Sequence, residues 1–422
     1  MTRSWAVFVL CLLSVAQGGQ YSNYQVIRVV PSTKEHVLQL HALELRQTCH
    51  QLDFWMSART VGKAVDIMVP PTAKSYINLA LDTIKAPYHV LINDVDGLIQ
   101  NQRESRALNV KTDDEDDFFK AYRTIAEIEA WTADLVNKYA DVLSEVDLGT
   151  SYEGQSMKAL KMSPNNKSGK KQIWLEGGIH AREWISPATL MYITNKILEK
   201  YASNAVDVIE FLDEYDIYVL FVTNPDGYRY TWTDDRLWRK TRSPNEGSDC
   251  IGTDPNRNWP YEWGGEGAST NPCSDTYRGS SAASEPEVKS IVGFLPQLEN
   301  LKMFIDFHSY SQLILYPWGY SESAPPIPNL EEVHYMADQI ASGIYTVDGT
   351  EYKIGNSAKL LYPASGGSDD YAYSIGADFS YVIELPDTGT YGFLLPEDMI
   401  IPTGEETYTG IIAAFKLLKQ TT

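Results

Sequence analysis

Three short apolar runs in this chain each stop at a residue able to bind a metal or move a proton. Gln172-Ile-Trp-Leu-Glu176 ends just before His180, Leu301 to Phe307 ends at His308, and Phe379-Ser-Tyr-Val-Ile383 ends at Glu384. Runs of this length, rich in β-branched and aromatic residues, read as strands. In an open α/β sheet, sites form outside the carboxyl ends of the strands, so a chain of this pattern gathers three reactive side chains in one place. The rest of the C-terminal part agrees with an α/β class. Tyr215 to Thr223 reads as a buried central strand, and Gly404 to Leu418 as a closing amphipathic helix. Ser186-Pro187 reads as a helix start, with the serine as cap, the proline in the first turn, and Ala188 to Leu198 continuing it.

The first of these residues lies in Gly177-Gly-Ile-His180-Ala-Arg182-Glu183-Trp184. An imidazole and a carboxylate three residues apart, joined by the distant imidazole of His308, form the three-ligand set that leaves zinc an open position for water. A His-x-x-Glu spacing alone is frequent by chance, and a lone histidine is usually a surface or core residue. Placement at strand ends is what sets these residues apart. Beyond position 111 the only histidines are His180, His308 and His334, and the last falls on an amphipathic helical stretch, where it reads as structural or surface.

The N-terminal part has a different character. Met1-Thr-Arg3, the apolar run Trp5 to Ala16 and the small residues of Ala16-Gln-Gly18 form the pattern of a signal peptide over residues 1–18, which predicts secretion. Its apolar core is too short for a membrane span, and no later stretch is long enough. A net charge of -21 argues against polyanion binding and for solubility, so neither nucleic acid nor membrane is an expected partner. From about 20 to 111, the strand-like runs Tyr24 to Val30 and Ala64 to Val69 alternate with helical stretches, Lys34 to Leu45 and Ala73 to Leu81, a small α+β module. The connection Gln102 to Lys111 is polar and carries Arg103, Arg106 and Lys111, an expected site for a trypsin-like protease. An acidic run, Asp113 to Asp117, follows it.

From about Asp116 onward the chain resembles the zinc carboxypeptidases of the pancreatic A/B type. The likeness rests on His180-Ala-Arg-Glu-Trp, Asn224-Pro-Asp-Gly, Arg236-Leu-Trp-Arg239-Lys-Thr-Arg, Asp254-Pro-Asn256-Arg257-Asn-Trp, His308-Ser-Tyr-Ser-Gln-Leu and Tyr391-Gly-Phe-Leu-Leu-Pro, in the family's order. It implies a three-layer α/β/α catalytic domain with a mixed central sheet over 112–422. An inhibitory propeptide of ferredoxin-like α+β fold over 19–111 would precede it, with Tyr88 to Asp94 as its last strand. Activation would follow cleavage within about 102–111, after Arg106 or Lys111.

The same resemblance assigns roles. It implies one zinc ion held by His180, Glu183 and His308, and Glu384 as the general base that takes a proton from water and hands it to the leaving amine. Arg239 matches the residue that stabilises the carbonyl oxygen as it gains charge. Asp254 matches the carboxylate that orients the first zinc histidine. Asn256 and Arg257 match the pair that grips a free terminal carboxylate, and Tyr362 the mobile tyrosine that closes over it. Arg182 resembles a contact one step further along the substrate backbone. Cys250 and Cys273 match the family disulfide, which leaves Cys49 free or available to another chain. Asn166-Lys-Ser168 is a glycosylation sequon.

Specificity turns on Gly366-Gly-Ser368-Asp369-Asp370. Asp369 falls where the family places the floor of the side-chain pocket, and an aspartate there accompanies the B-type preference for lysine and arginine, which makes procarboxypeptidase B the nearest resemblance. A carboxylate at the base of a narrow pocket is costly to desolvate unless a cation pairs with it. Ser357, small and polar at a second pocket position, fits a long basic side chain. In the contrary reading Asp369 points away and only Asp370 matters. The expected protein is a secreted digestive zymogen of the gut lumen, monomeric, acting on peptides with a free C-terminus. An activating trypsin-like protease and proteinaceous carboxypeptidase inhibitors are its expected partners. Alternatives are A-type specificity for aromatic or aliphatic termini, a regulatory peptide-processing enzyme, and a non-enzymatic zinc protein in which Glu384 and Arg239 are idle.

Overall fold

The computed structural model describes residues 19–109, 115–164 and 167–420. The expected signal peptide, Lys111 and Asn166 lie outside these residues.

All three apolar runs are strands of one eight-stranded sheet. Its spatial order is Lys353–Asn356, Leu313–Tyr316, Phe379–Leu385, Leu301–Ser309, Lys171–Gly177, Tyr215–Leu220, Ser156–Met162, Leu143–Thr150. The four central strands run parallel, with antiparallel pairings towards the edges, which makes the sheet mixed. Lys171–Gly177 is flanked by the next strand in sequence on one side and by Leu301–Ser309 on the other. A parallel sheet opens a crevice at the carboxyl end of its strands where the strand order reverses. His180 and His308 both sit there.

Apolar cores cover both faces, as the near-continuous apolar composition of central parallel strands requires. One face packs against the helices Ile185–Ala202, Leu330–Asp348 and Ile400–Gln420, the other against Pro286–Phe294 and Ser368–Ser374. These layers are the expected α/β/α architecture. The strand expected over Tyr215 to Thr223 is buried throughout but ends at Leu220. His334 is half-exposed on the helix Leu330–Asp348, its ring edge-on to Tyr316.

One helix start differs from expectation. The helix begins at Ile185, and Ser186 does not cap it. The Ser186 hydroxyl instead donates to the Phe307 carbonyl at 2.5 Å and accepts from the Gly178 N–H at 2.9 Å, stapling the ends of two strands. Gly178 turns the chain there with φ +64°, a conformation that costs glycine little. A β-carbon at that position would stand 3.2 Å from Val222 Cα.

The N-terminal module has a four-stranded antiparallel sheet ordered Asp53–Phe54, Val65–Val69, Gln25–Val29, Tyr88–Ile92, with the helices Lys34–Glu44 and Lys74–Ile84. That order is the ferredoxin-like one. The connection to the enzyme is a correction to the expected polar stretch, because Val95–Asn109 is a continuous helix. Its polar side chains find partners on the C-terminal part. Gln102 donates to the Leu395 carbonyl at 2.9 Å, and the Arg106 guanidinium binds both oxygens of Glu127 at 2.8 Å and stacks over Trp232.

Candidate active site

The buried centre of the crevice is made by His180, Glu183 and His308, whose ligand atoms all lie within 4.8 Å of one another. His180 Nδ1 lies 2.8 Å from Glu183 Oε1, and His308 Nδ1 is 3.2 Å from both Glu183 Oε2 and His180 Nδ1. The outer nitrogens are each held by a carboxylate. His180 Nε2 is 3.1 Å from Asp254 Oδ1, and His308 Nε2 is 2.9 Å from Asp306 Oδ2. A carboxylate at Nε2 accepts a hydrogen bond from the ring N–H there and so leaves the Nδ1 lone pair free for a metal, and two such nitrogens and a carboxylate converge on one point. Such a set repels itself unless a cation sits between its members, and two nitrogens with one oxygen suit zinc in a catalytic site.

Electrostatics inside this dry centre follow from its charges. Burial alone would raise the Glu183 carboxyl, but the two histidines hold it well below the usual carboxylate range. Burial likewise opposes charge on His308, yet Asp306 and Glu183 outweigh it and hold the imidazole well above its ordinary value. Asp254 is kept ionised, against its burial, by Arg239, Arg257 and His180. It accepts from Arg239 Nη2 at 2.9 Å and from the Asn256 N–H, so one carboxylate fixes a ligand, a cation and a loop.

Around this centre the structure brings together nearly all the expected residues. Arg239, Asn256, Arg257, Tyr362 and Glu384 line one cavity with the three ligands. Glu384 is the register partner of His308 on the neighbouring strand. Burial, only partly offset by His308, pushes its carboxyl up to about 8. Asp369 and Ser357 line the same cavity, with the Ser357 hydroxyl donating to Asp369 Oδ2 at 3.1 Å. Asp370 does something else: its two oxygens accept the backbone N–H groups of Gly319 and Tyr320. Of the two aspartates it is therefore Asp369 that faces the cavity. Cys250 and Cys273 form a disulfide with Cα atoms 5.1 Å apart, and Cys49 is free and exposed.

Arg182 is close by but engaged. Its Nη1 binds Asp53 Oδ2 of the N-terminal module at 2.8 Å, and its guanidinium stacks on Phe393. Asp53 also accepts from Trp55 Nε1, and Trp55 and Met56 line the catalytic cavity. The module is anchored elsewhere by Asp66, which holds Arg28 within the module and accepts from the Tyr310 hydroxyl, by Arg28 to the Thr388 carbonyl, and by Tyr21 to Asp235. The sequence reading missed Asp53, Trp55, Glu176 and Asp306. For Asp306 a signal existed, since a residue two before a ligand on a strand shares its face.

A crevice of this kind, with an open three-ligand metal centre beside a buried carboxyl and two guanidinium groups, defines a metal-dependent hydrolase of the α/β/α class. The comparisons make that particular. The zinc carboxypeptidase family model matches residues 128–410, and the carboxypeptidase activation peptide model matches residues 27–102. The chain belongs to the zinc carboxypeptidase family, as an enzyme made with an activation peptide. It is 41% identical to carboxypeptidase A2 of Rattus norvegicus over 92% of each chain, and 39% identical to carboxypeptidase A4 of Mus musculus over 96% of this chain and 97% of the relative. Thrombin activatable fibrinolysis inhibitor superposes with a TM-score of 0.86 at 32% identity, covering 95% of this chain and all of that one. Carboxypeptidase A from Helicoverpa armigera gives 0.85 at 28% identity, covering 95% and 99%. The carboxypeptidase A2 and A4 relatives carry A-type names, and overall identity does not bear out the expected nearness to the B type.

Proposed function

We propose that the protein is a secreted carboxypeptidase that removes C-terminal lysine or arginine, held inactive until residues 19–111 are cut from a catalytic domain over 112–422. The observation that carries the specificity is Asp369, buried in the catalytic cavity with a single side-chain hydrogen bond, from Ser357. Burial raises its carboxyl and the Ser357 hydroxyl only partly offsets this. An incoming ammonium or guanidinium relieves that cost, whereas an aromatic side chain leaves it in place.

When bound, zinc supplies the Lewis acidity that polarises the scissile carbonyl and acidifies a water. The chain's own residues supply the rest. Asn256 and Arg257 orient the peptide by its terminal carboxylate, which an endopeptidase has no need to do. Glu384 accepts the proton of the attacking water and delivers it to the leaving amine. Arg239, locked by Asp254, presents a fixed positive charge to the oxygen that becomes an oxyanion. Tyr362 closes over the bound terminus. In the zymogen, Asp53 occupies Arg182 and Trp55 with Met56 fills the mouth of the cavity, so cleavage in the connection and departure of the module expose the site.

A secreted, monomeric enzyme of the digestive kind suits this design, as does regulation by proteinaceous inhibitors, since a bovine relative was solved in complex with a tick carboxypeptidase inhibitor. The deciding experiment treats the secreted proenzyme with trypsin and follows release of C-terminal Lys, Arg, Phe and Glu from matched peptides, with and without a chelator. Chelator-sensitive release confined to Lys and Arg is the expected result. Release mainly of Phe would overturn the pocket reading while leaving the zinc chemistry intact.

A further inference from the structure

Asp306 takes no part in the chemistry above, yet it touches three parts of the site. It is fully buried on the strand Leu301–Ser309, two residues before His308. Its Oδ2 accepts from His308 Nε2 at 2.9 Å and from the Ser368 hydroxyl at 2.7 Å. Ser368 opens the short helix whose next residue is the pocket aspartate, Asp369, and the Ser368 N–H donates to Asn256 Oδ1 at 2.9 Å. A single carboxylate oxygen thus joins a zinc ligand, the segment bearing the specificity residue and the residue that meets the terminal carboxylate.

The strand behind supports this arrangement. Glu176 is the register partner of Asp306, equally buried, with Oε2 accepting from Trp174 Nε1 at 2.7 Å. Glu176 Oε1 and Asp306 Oδ1 have no hydrogen-bond partner among the described residues. Burial, with Asp306 beside it, pushes the Glu176 carboxyl well up.

We propose that Asp306 is a positioning residue that fixes the His308 ring with Nδ1 towards the metal and, through Ser368, sets the specificity segment at a fixed distance from that metal. The pocket half of this inference rests on the Lys/Arg reading, and the metal half does not.

The test compares Asp306→Ala, Asp306→Asn and Ser368→Ala in the full-length chain. Zinc affinity is read by chelator competition, and kcat and KM for C-terminal Arg peptides are read after trypsin treatment. Loss of a carboxylate behind a ligating histidine weakens metal binding by roughly 10–100-fold, the expected result for Asp306→Ala. Asp306→Asn keeps an acceptor oxygen for His308 Nε2 and should recover most of that loss. Ser368→Ala should leave zinc affinity within about twofold of the parent but raise KM severalfold at nearly constant kcat, since the pocket segment is freed while the ligand stays held. Parent-like zinc affinity in Asp306→Ala, or an asparagine variant no better than alanine, would overturn the metal half. An unchanged KM in Ser368→Ala would overturn the pocket half. If Asp306→Ala does not fold, Asp306→Asn is set against Asp306→Leu, which has no acceptor: equal zinc affinity in the two, with Ser368→Ala parent-like in KM, rejects the proposal. Failure of the Lys/Arg reading shows separately, as a preference for Phe in the parent enzyme.

Discussion

At the residue scale, two side chains separate chemistry from specificity. Glu384 is half-buried, beside His308 and lifted to about 8, and the positive charge of a bound metal would lower it towards working pH, where a general base is most effective. Glu384→Gln keeps the shape and removes the base. It should cut kcat by about 10²–10⁴-fold with little change in KM, measured under saturating zinc. Asp369→Ile tests the pocket alone. A substrate cation left without its partner in a buried site costs about 3–5 kcal/mol, so kcat/KM for C-terminal Arg should fall roughly 10²–10⁴-fold while Phe gains. An Asp369→Ile enzyme still preferring Arg would place the specificity charge elsewhere. His180, His308 and Glu384 were legible in the sequence because each follows a strand-like run and strand ends converge, whereas Arg239, Asn256, Arg257 and Asp369 were reached through the family resemblance. Asp306 was passed over inside such a run, although its place two residues before His308 puts the two side chains on one face of the strand.

At the scale of elements, the prosegment contacts predict how inhibition should depend on pH. Asp53 and Asp275 share the single guanidinium of Arg182, at 2.8 and 4.0 Å. Burial, with Asp275 adding to it and Arg182 only partly opposing, raises Asp53 to about 7 from an ordinary 3.8. A carboxyl whose value is higher in the docked state takes up a proton on docking. Docking is therefore favoured at low pH and weakens as pH rises from about 4 to about 7, then levels off. In chain nicked by trypsin, residual inhibition by the bound prosegment should fall across that window, and Asp53→Asn should flatten the slope. An identical slope in both would assign it to other groups. The helix Val95–Asn109 makes a second prediction. Arg106 is bidentate to Glu127 and stacked on Trp232 within a helix, a poor substrate for a protease that needs an extended backbone. Glu127→Ala should therefore speed cleavage after Arg106 severalfold, as read by N-terminal sequencing of fragments over time. None of this was legible in the sequence. Gln102 to Lys111 has no apolar periodicity, and its helix is held by partners such as Leu395 and Glu127, remote in the chain.

At the scale of the whole molecule, the metal centre lies where four parallel strands, two apolar cores and the prosegment meet, so its occupancy bears on stability as well as activity. His180, Glu183 and His308 bring their ligand atoms within 4.8 Å of one another in the fold and not in the unfolded chain. Zinc therefore binds the fold selectively and stabilises it by mass action, about 4 kcal/mol at a thousandfold excess over Kd. A chelator should lower the main unfolding transition by several degrees in the full chain, and added zinc should restore it. The size of the effect should depend on the prosegment. The N-terminal sheet has its own core of Ile27, Leu40, Ile67 and Ile77, separate from the cores that flank the eight-stranded sheet, while Trp55, Tyr310 and Phe393 join the two parts in a shared cluster over the cavity mouth. Closing that mouth traps the ion and slows its escape. Chelator treatment should strip zinc from the trypsin-activated enzyme much faster than from the proenzyme, and equal rates would mean that the prosegment covers the substrate path without sealing the metal.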